Sequence, residues 1–347
     1  MTLCALRSAL RGGLRAMYET YYGLKENPFN VTPDPKFIYL GENHQEALAH
    51  LLYGVEERKG FIVITGEVGS GKTTLIHYLL NELIENDNTK TAFLFNPKLD
   101  TNDFIQYILK DLGVEVNGGT KSDYLYSLYQ YLLKAYQNNE KVILIVDEAQ
   151  GLNPKLLEEI RLLSNFETSK SKLLQIILVG QPELKKMLLH TGVRQLRQRI
   201  NMRYHLNPLS EKETKGYIEK RLRIAGAKGR LFTEKAIEEI YRISGGIPRL
   251  INILCDNSLL NGYALDQKIV DDKSVREAAR DLNLKSGPSR LWTWTVVPLC
   301  IVGVALIIFL LWKSGLLLPL HKGILKNFQN IGNAAINGFQ NVLYFFK

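Results

Sequence analysis

The fold class of this 347-residue chain is decided by one stretch, Phe61-Ile-Val-Ile-Thr65 followed by Gly66-Glu67-Val68-Gly69-Ser70-Gly71-Lys72-Thr73-Thr74. Its apolar first part predicts a buried β-strand, and the remainder matches the phosphate-loop pattern GxxxxGK[ST]. Glycines let the backbone turn tightly, so that successive N–H groups point at phosphate oxygens, and the following helix adds its N-terminal dipole. Every residue from Gly66 to Thr74 is therefore predicted to bind a nucleotide.

Two carboxylates follow the strand predicted at Val142–Val146 and complete a candidate catalytic site. The carboxyl ends of parallel strands form the ligand edge of an α/β sheet, so Asp147 is predicted to hold Mg²⁺ through its water shell. Glu148 is predicted to polarise the water that attacks the γ-phosphate. In the loop, Lys72 would reach the β- and γ-phosphates and the Thr73 hydroxyl would bind Mg²⁺. The pattern predicts a hydrolase that uses ATP and Mg²⁺.

A glutamine follows the strand predicted at Gln175–Val179. If this strand lies beside the one that ends at Asp147, Gln181 reaches the same edge of the sheet. There it is predicted to orient the attacking water or to contact the γ-phosphate. The alternative is a turn or helix-capping residue before Pro182.

Arginines occur at two further places. Four of them lie between residues 194 and 203, and such a run is usually a solvated basic face. The alternative is an arginine finger, a cation offered to the ATP of a neighbouring subunit, for which Arg199 and then Arg197 are the candidates. Arg249 follows a Gly-Pro helix start and is predicted to point back toward the bound nucleotide.

Apolar runs alternate with helical patterns through most of the chain, which predicts an α/β fold with a parallel sheet. Helical spacing is seen, for example, at Leu75–Ile84 and Tyr124–Tyr136. From Glu211 to Asp281 only helical patterns remain, which predicts a small all-helical lid domain. The predicted strands are Phe61–Thr65, Thr91–Phe95, Val142–Val146, Gln175–Val179 and Met202–Leu206.

One transmembrane helix is predicted at residues 291–312, which carry no charged side chain. At about 1.5 Å per residue this segment spans roughly 33 Å, enough to cross a hydrocarbon core of about 30 Å. Tryptophans at both ends and the flanking Arg290 and Lys313 are typical of membrane interfaces. A buried core helix is the alternative.

The organisation that follows has six parts. A basic arm at residues 1–16 precedes Met17, which is itself a plausible start. The C-terminal segment has one apolar helical stripe, which indicates a helix on the membrane surface, a self-association helix or a frayed tail. The other parts are a nucleotide-binding domain at 17–210, a lid at 211–281, a linker at 282–290, the membrane helix at 291–312 and the segment at 313–347.

The formal net charge of +9 is confined to the two ends of the chain. Residues 1–16 and 282–347 have basic side chains and no acidic ones, which leaves residues 17–281 with equal numbers of both. A high pI often indicates nucleic-acid binding, but a neutral body argues against nucleic acid as a partner. The three scattered cysteines exclude a disulfide framework and a structural zinc site.

Taken together, these motifs resemble those of the AAA+ ATPases. The resemblance implies a P-loop NTPase core with a helical lid, working as a ring-like homo-oligomer of the hexamer type. It also implies the family's names for the motifs: Walker A for Gly66–Thr74, Walker B for Asp147-Glu148, sensor 1 for Gln181, the arginine finger for Arg197 or Arg199, and sensor 2 for Arg249.

Residues 17–281 more narrowly resemble the general secretion pathway protein A, or ExeA, type of ATPase. This resemblance implies that Pro28 and Phe29 line the adenine pocket. Members carry a folded periplasmic domain, often peptidoglycan-binding, after their membrane span. About 35 residues follow the span here, too few for a core, so peptidoglycan binding is not expected. The resemblance rests on Tyr22-Gly-Leu-Lys-Glu-Asn-Pro28-Phe29, Thr32-Pro-Asp-Pro-Lys-Phe37, His44-Gln-Glu-Ala-Leu48, Tyr53-Gly54 and Asp147-Glu-Ala-Gln150.

The leading hypothesis is a single-pass ATPase of the bacterial inner membrane. ATP is cytoplasmic, so the ATPase domain is expected in the cytoplasm and the short C-terminal tail outside. The protein would bind and hydrolyse ATP to drive or gate assembly of an envelope secretion or export complex. Its partners would be ATP, copies of itself, inner-membrane lipid and components of that machinery. The alternatives are a DNA-dependent AAA+ regulator of the transposition-ATPase kind and a nucleotide-gated scaffold with negligible turnover.

Overall fold

The computed structural model describes residues 17–32, 34–84, 88–95, 97, 99–115, 118–169 and 171–284. The predicted basic arm, membrane helix and C-terminal segment lie outside this part of the chain, as does most of the predicted linker. Within the described residues, no helix combines the length and the apolar character that a bilayer span requires.

Five parallel strands form one sheet in the order β2-β3-β4-β1-β5. This confirms the predicted parallel α/β core, and the strand bounds differ from the predicted ones by at most two residues. β3 and β4 are neighbours, as expected for Asp147 and Gln181, and β4 separates β3 from β1. The strands are β1 (Phe61–Gly66), β2 (Thr89–Leu94), β3 (Lys141–Val146), β4 (Leu174–Gly180) and β5 (Met202–Leu206).

Helices connect these strands and cover both faces of the sheet. Capping residues begin several of them; the Asp100 carboxylate, for instance, accepts hydrogen bonds from the N–H groups of Asn102 and Asp103. Short 3-10 turns lie at Pro35–Phe37, Ala149–Gly151 and Thr191–Val193. The helices are α1 (Glu42–Glu56), α2 (Lys72–Ile84), α3 (Thr101–Asp111), α4 (Lys121–Gln137), α5 (Pro154–Leu163), α6 (Pro182–Leu189) and α7 (Arg194–Arg199).

Two apolar cores lie on opposite faces of the sheet. Phe61 and Val63 of β1 pack with α3 to α7, whereas Ile62 and Ile64 pack with α1 and α2. Alternate residues of a strand point to opposite faces, and here both faces are covered. This explains why β1, β3 and β4 are nearly continuous apolar runs in the sequence.

A helical domain follows β5 and has a third apolar core. Its first helix begins at a capping box, in which Ser210 and Glu213 exchange hydrogen bonds. A single β-bridge joins Phe232 to Val270, and otherwise the described elements are the helices that the sequence predicts. They are α8 (Glu211–Ile224), α9 (Glu234–Ser244), α10 (Pro248–Ala264) and α11 (Asp272–Asp281).

The N-terminal residues 17–37 pack against the helical domain, although the sequence assigned them to the α/β domain. Tyr18 donates a 2.5 Å hydrogen bond to Asp256 of α10. Arg221 of α8 donates one of 2.8 Å to the carbonyl of Pro28. Apolar side chains of this segment belong to the third core because the cluster of lid helices offers them a buried surface.

Candidate functional site

The phosphate loop leaves the carboxyl end of β1 and needs glycine at two positions. Gly69 and Gly71 have φ values of 79° and 95°, in the left-handed region that favours glycine. A Cβ on Gly69 would lie 2.6 Å from Cβ of Arg249, and one on Gly71 would lie 3.1 Å from Nε2 of His44. The loop then enters α2, whose first N–H groups have no intrahelical acceptor and can bind an anion.

Lys72 lies inside this loop. Its Nζ donates hydrogen bonds of 2.9 Å to the carbonyls of Gly66 and Glu67. The side chain is 5% exposed. Burial lowers the pKa of Lys72, and the nearby carboxylates of Glu148, Asp147 and Glu67 oppose that effect. Among the described residues the ammonium group of Lys72 bonds loop carbonyls alone, and it can exchange them for phosphate oxygens.

Asp147 is held through both carboxylate oxygens. The Thr73 hydroxyl donates to Oδ2 over 2.8 Å, and the backbone N–H of Glu148 donates to Oδ1 over 2.8 Å. The Thr73 contact joins the first turn of α2 to the end of β3, although one strand lies between β1 and β3. The structure thus brings together the two predicted magnesium ligands, which offer the oxygen atoms that Mg²⁺ prefers.

Glu148 and Gln181 also meet at this edge. Nε2 of Gln181 donates a 3.0 Å hydrogen bond to Oε2 of Glu148. Gln181 occupies the N-cap position of α6 but makes no side-chain capping bond among the described residues, which disfavours the helix-capping alternative. Glu148 has a φ of 49°, an uncommon left-handed conformation for a residue with a side chain. Such conformations cluster at functional sites, where the surrounding structure maintains them.

Arg249 places the helical domain on the phosphate loop. Its backbone N–H donates to the carbonyl of Gly69 over 3.3 Å, while its side chain is exposed. The contact is at the start of α10, where Pro248 occupies the first turn. The backbone of Arg249 is therefore anchored next to the loop that would bind the phosphates, and its side chain is exposed there.

The two candidate arginine fingers make contacts of a different kind. Nη1 of Arg199 donates to the backbone carbonyl and hydroxyl of Ser164, at 3.4 and 3.2 Å. The backbone carbonyl of Arg197 accepts a 3.0 Å hydrogen bond from Arg203. Arg197 also lines a cavity of about 280 Å³ with Lys185 and His205. Arg197 is thus the less constrained of the two guanidinium groups within the described residues.

Pro28 and Phe29 do not line the pocket beside the phosphate loop. Phe29 is 1% exposed and packs edge-to-face on Phe232, with ring centroids 6.3 Å apart. Both residues are buried, and Phe29 belongs to the core of the helical domain. Their predicted contact with adenine stays a prediction. Motif resemblance marked the segment but could not tell a core residue from a ligand contact.

The pocket beside Gly71 and Thr74 is lined instead by later residues of the same segment and by the helical domain. Phe37 and Tyr39 come from the segment, and Tyr217 comes from α8. This pocket adjoins the phosphate loop and has a volume of about 60 Å³. The sequence contained this signal in Thr32-Pro-Asp-Pro-Lys-Phe37, but no role followed from it.

His44 is a buried residue of the site that sequence reasoning left without a role. Its Nε2 donates to the carbonyl of Ser70 over 3.0 Å. Burial lowers the pKa of His44, and the bond to Ser70 and the charge of Glu213 oppose that effect. Glu213 itself accepts a 2.6 Å hydrogen bond from the N–H of Glu42, which ties the start of α1 to the helical domain. His44 therefore stabilises the phosphate loop through its hydrogen bond to the carbonyl of Ser70.

These residues fit a triphosphate with Mg²⁺. The Ser70 hydroxyl is buried and has no hydrogen-bond partner among the described residues. The described residues contain no cluster of three or more side chains that would hold a metal ion unaided. Mg²⁺ typically takes few protein ligands beside phosphate oxygens and water, and Thr73 and Asp147 meet that need. The fold and the site define a P-loop ATPase of the AAA+ class.

Comparison with known proteins agrees with this class. The AAA domain family matches residues 55–188. The chain is 44% identical over 249 residues to general secretion pathway protein A from Aeromonas hydrophila, across 72% of this chain and 45% of that protein. It is also 25% identical to an uncharacterized HTH-type transcriptional regulator from Methanocaldococcus jannaschii, across 70% of this chain and 61% of that protein. The chain is thus an AAA+ ATPase related to general secretion pathway protein A.

Solved structures share the fold. The ORC2 protein of Aeropyrum pernix in its ADPNP-ADP complexes has a TM-score of 0.56 at 19% identity, over 74% of this chain and 72% of that one. Drosophila ORC bound to DNA has a TM-score of 0.57 at 17% identity, over 76% and 68%. Such identities establish the fold alone. The chain spans less than two thirds of the length of either curated relative described above.

Proposed function

We propose that this protein binds and hydrolyses ATP with Mg²⁺ to drive or gate assembly of an envelope secretion or export complex. One observation carries the hydrolytic part: Lys72, Thr73, Asp147, Glu148 and Gln181 converge at one edge of the sheet. The secretion part is supported by the relationship to general secretion pathway protein A.

In this proposal each side chain has one task. Lys72 and the first N–H groups of α2 bind the phosphates. Thr73 and Asp147 would hold Mg²⁺, which would supply positive charge beside the phosphates. The Glu148 carboxylate accepts a proton from the attacking water, and Gln181 holds that carboxylate by donating to Oε2. Arg197 or Arg199 of a neighbouring copy would add a cation at the γ-phosphate in a ring.

The hydrolytic part is tested with two variants. Lys72→Ala should lose ATP binding, measured with a fluorescent ATP analogue, because the loop then lacks its cation. Glu148→Gln should bind ATP but lower phosphate release by about 10²- to 10⁴-fold, the usual contribution of a general base. Equal turnover of Glu148→Gln and the wild type would remove Glu148 from this role.

The same variants address the scaffold alternative, in which assembly needs nucleotide but not turnover. With ATP, Glu148→Gln should remain in a ring-like oligomer that the wild type forms only transiently. Sedimentation measures this difference. If the wild type assembles stably with ATP and releases no measurable phosphate, the scaffold is the better description.

We further propose that residues 291–312 anchor the protein in the inner membrane with the ATPase domain in the cytoplasm. The support is the uncharged 22-residue length, which suits a bilayer core of about 30 Å. In inverted membrane vesicles, added protease should digest the ATPase domain and leave the tail protected. Protection of the ATPase domain would overturn this orientation.

A DNA-dependent regulator is the second candidate, and the relationship to an HTH-type transcriptional regulator is the observation that favours it. Against it stand the equal numbers of basic and acidic side chains in residues 17–281, because duplex DNA binding needs several contacts to phosphate. Duplex DNA should leave ATP turnover unchanged at physiological salt. Strong stimulation that disappears at high salt would favour the regulator.

A further inference from the structure

A third polar side chain joins Glu148 and Gln181. Gln150 lies in the 3-10 turn that follows β3, two residues after Glu148. Its Oε1 accepts a 2.9 Å hydrogen bond from the backbone N–H of Gln181. Its Nε2 donates to Oε2 of Glu148. Gln150 therefore spans the ends of β3 and β4 and bonds both of the residues proposed to act on the attacking water.

Chemistry decides which way round the Gln150 amide lies. A backbone N–H can only donate, so the atom that faces Gln181 must be the amide oxygen. The NH₂ group must then face Glu148, whose carboxylate accepts. Gly180 makes room for this arrangement, since a Cβ there would lie 2.7 Å from Oε1 of Gln150.

The two amide donors converge on one oxygen of Glu148. Oε2 accepts from both Gln150 and Gln181, whereas Oε1 has no hydrogen-bond partner among the described residues. The two amide donors fit the ionised carboxylate, which accepts hydrogen bonds and is the form that can accept a proton. They also restrict rotation of an otherwise exposed side chain. Oε1 is then the oxygen that remains for the attacking water.

We propose that Gln150 is a positioning residue that holds Glu148 in its proton-accepting orientation and couples it to the end of β4. The proposal rests on the hydrolytic function given above. Gln150 itself touches neither phosphate nor water in this role. It acts through Glu148, and displacement of the Gln181 backbone would be transmitted to the carboxylate through the same amide.

Two substitutions separate the hydrogen bond that Gln150 makes with Gln181 from the one that it makes with Glu148. Gln150→Glu keeps an oxygen for the Gln181 N–H but loses the donor to Glu148, and Gln150→Ala loses both. Each should lower kcat for ATP about 10- to 100-fold, the effect of misplacing a catalytic group by about 1 Å. Affinity for a fluorescent ATP analogue and the thermal melting temperature should stay at wild-type values. Gln137→Ala, at the exposed end of α4, is the matched control and should retain wild-type kcat.

The decisive comparison places Gln150→Ala in the Glu148→Gln background. A residue that acts through Glu148 should cause no further loss there, so the two effects should be non-additive. Additive losses, unchanged kcat in both single variants, a higher kcat or a parallel fall in ATP affinity would each overturn the proposal. A wild-type protein that binds ATP without turnover would instead contradict the proposed hydrolysis, and that result is distinguishable from all of these.

Discussion

Thr73 and Asp147 are 74 residues apart in the chain, and a 2.8 Å hydrogen bond joins their side chains. The hydroxyl donates to Oδ2, so the bond links the phosphate loop to the end of a strand that is not adjacent to β1. The sheet accomplishes this because all of its strands are parallel and their carboxyl ends lie at one edge. The proposed magnesium site therefore depends on the correct order of strands.

Asp147→Ala should raise the Mg²⁺ concentration at which ATP binding is half-maximal. Removing a partner that orients metal-bound groups typically lowers metal affinity about 10- to 100-fold. Titration of Mg²⁺ at fixed fluorescent ATP analogue should show this shift, with binding in excess EDTA little changed. Asp103→Ala, an exposed acidic position at the start of α3, is the control. An unchanged Mg²⁺ midpoint in Asp147→Ala would argue against a role in metal binding.

Gly69→Ala should cost more stability than the same change at Gly113. Both glycines are left-handed, with φ values of 79° and 73°, so each alanine costs about 1–2 kcal/mol of backbone strain. Only at Gly69 would the new Cβ meet a neighbour, the Cβ of Arg249 at 2.6 Å, whereas nothing lies within 4 Å of that on Gly113. Denaturant unfolding should give the larger loss for Gly69→Ala, together with weaker ATP binding. Equal losses of unfolding free energy would mean that the contact between the helical domain and the loop does not restrict residue 69.

Phe29→Ala should destabilise the helical domain and leave the affinity for ATP unchanged. Truncating a fully buried phenylalanine typically costs about 3–5 kcal/mol of unfolding free energy. Phe95, which is 59% exposed, is the matched control, and Phe95→Ala should stay within about 0.5 kcal/mol of the wild type. Below its melting temperature, Phe29→Ala should retain ATP affinity. A selective loss of ATP affinity at wild-type stability would support the predicted contact of Phe29 with adenine.

His44 should make stability sensitive to mildly acidic pH. Burial lowers its pKa below the ordinary value of 6.5, so the unfolded chain takes up the proton more readily than the folded one. The free energy of unfolding attributable to His44 is therefore fully present above 6.5 and falls as the pH drops from there toward the folded-state pKa. In His44→Gln this dependence disappears.

Denaturant unfolding of the wild type and His44→Gln at about pH 7.5 and about pH 5.5 measures the effect. The stability advantage of the wild type should shrink at the lower pH. His50→Gln, a surface position on the same helix, controls for the substitution itself. A difference between wild type and His44→Gln that is constant with pH would contradict a neutral, buried His44.

The sequence predicted the sheet well because its signals are local. The apolar runs of β1, β3 and β4 correspond to strands that are buried on both faces. The edge strands β2 and β5 are more polar and partly exposed, so their predicted burial was only partly right. The phosphate loop was recognisable because contiguous residues bind the phosphates through their own backbone. Roles for Gln181, Arg197, Arg199 and Arg249 stay predictions, since they concern a bound ligand or a neighbouring copy.

Contacts between residues that are far apart in the chain could not be predicted from local patterns in the sequence. Phe29 and Phe37 belong to one proline-containing segment and both join the core of the helical domain, yet of the two only Phe37 also lines the pocket beside the phosphate loop. Gln150 belonged to a recognised motif, but its partner on β4 becomes visible only when β3 and β4 lie side by side.

The sequence by itself therefore determined the class of the fold, the phosphate loop and the pair Asp147-Glu148, because each depends on residue order and backbone conformation over a few positions. Only the tertiary structure decided that Thr73 bonds Asp147, that Gln150 bridges Glu148 to Gln181, and that His44 lies behind Ser70. Those contacts depend on the order of strands and the packing of helices, which satisfy burial and hydrogen bonding over the whole domain at once.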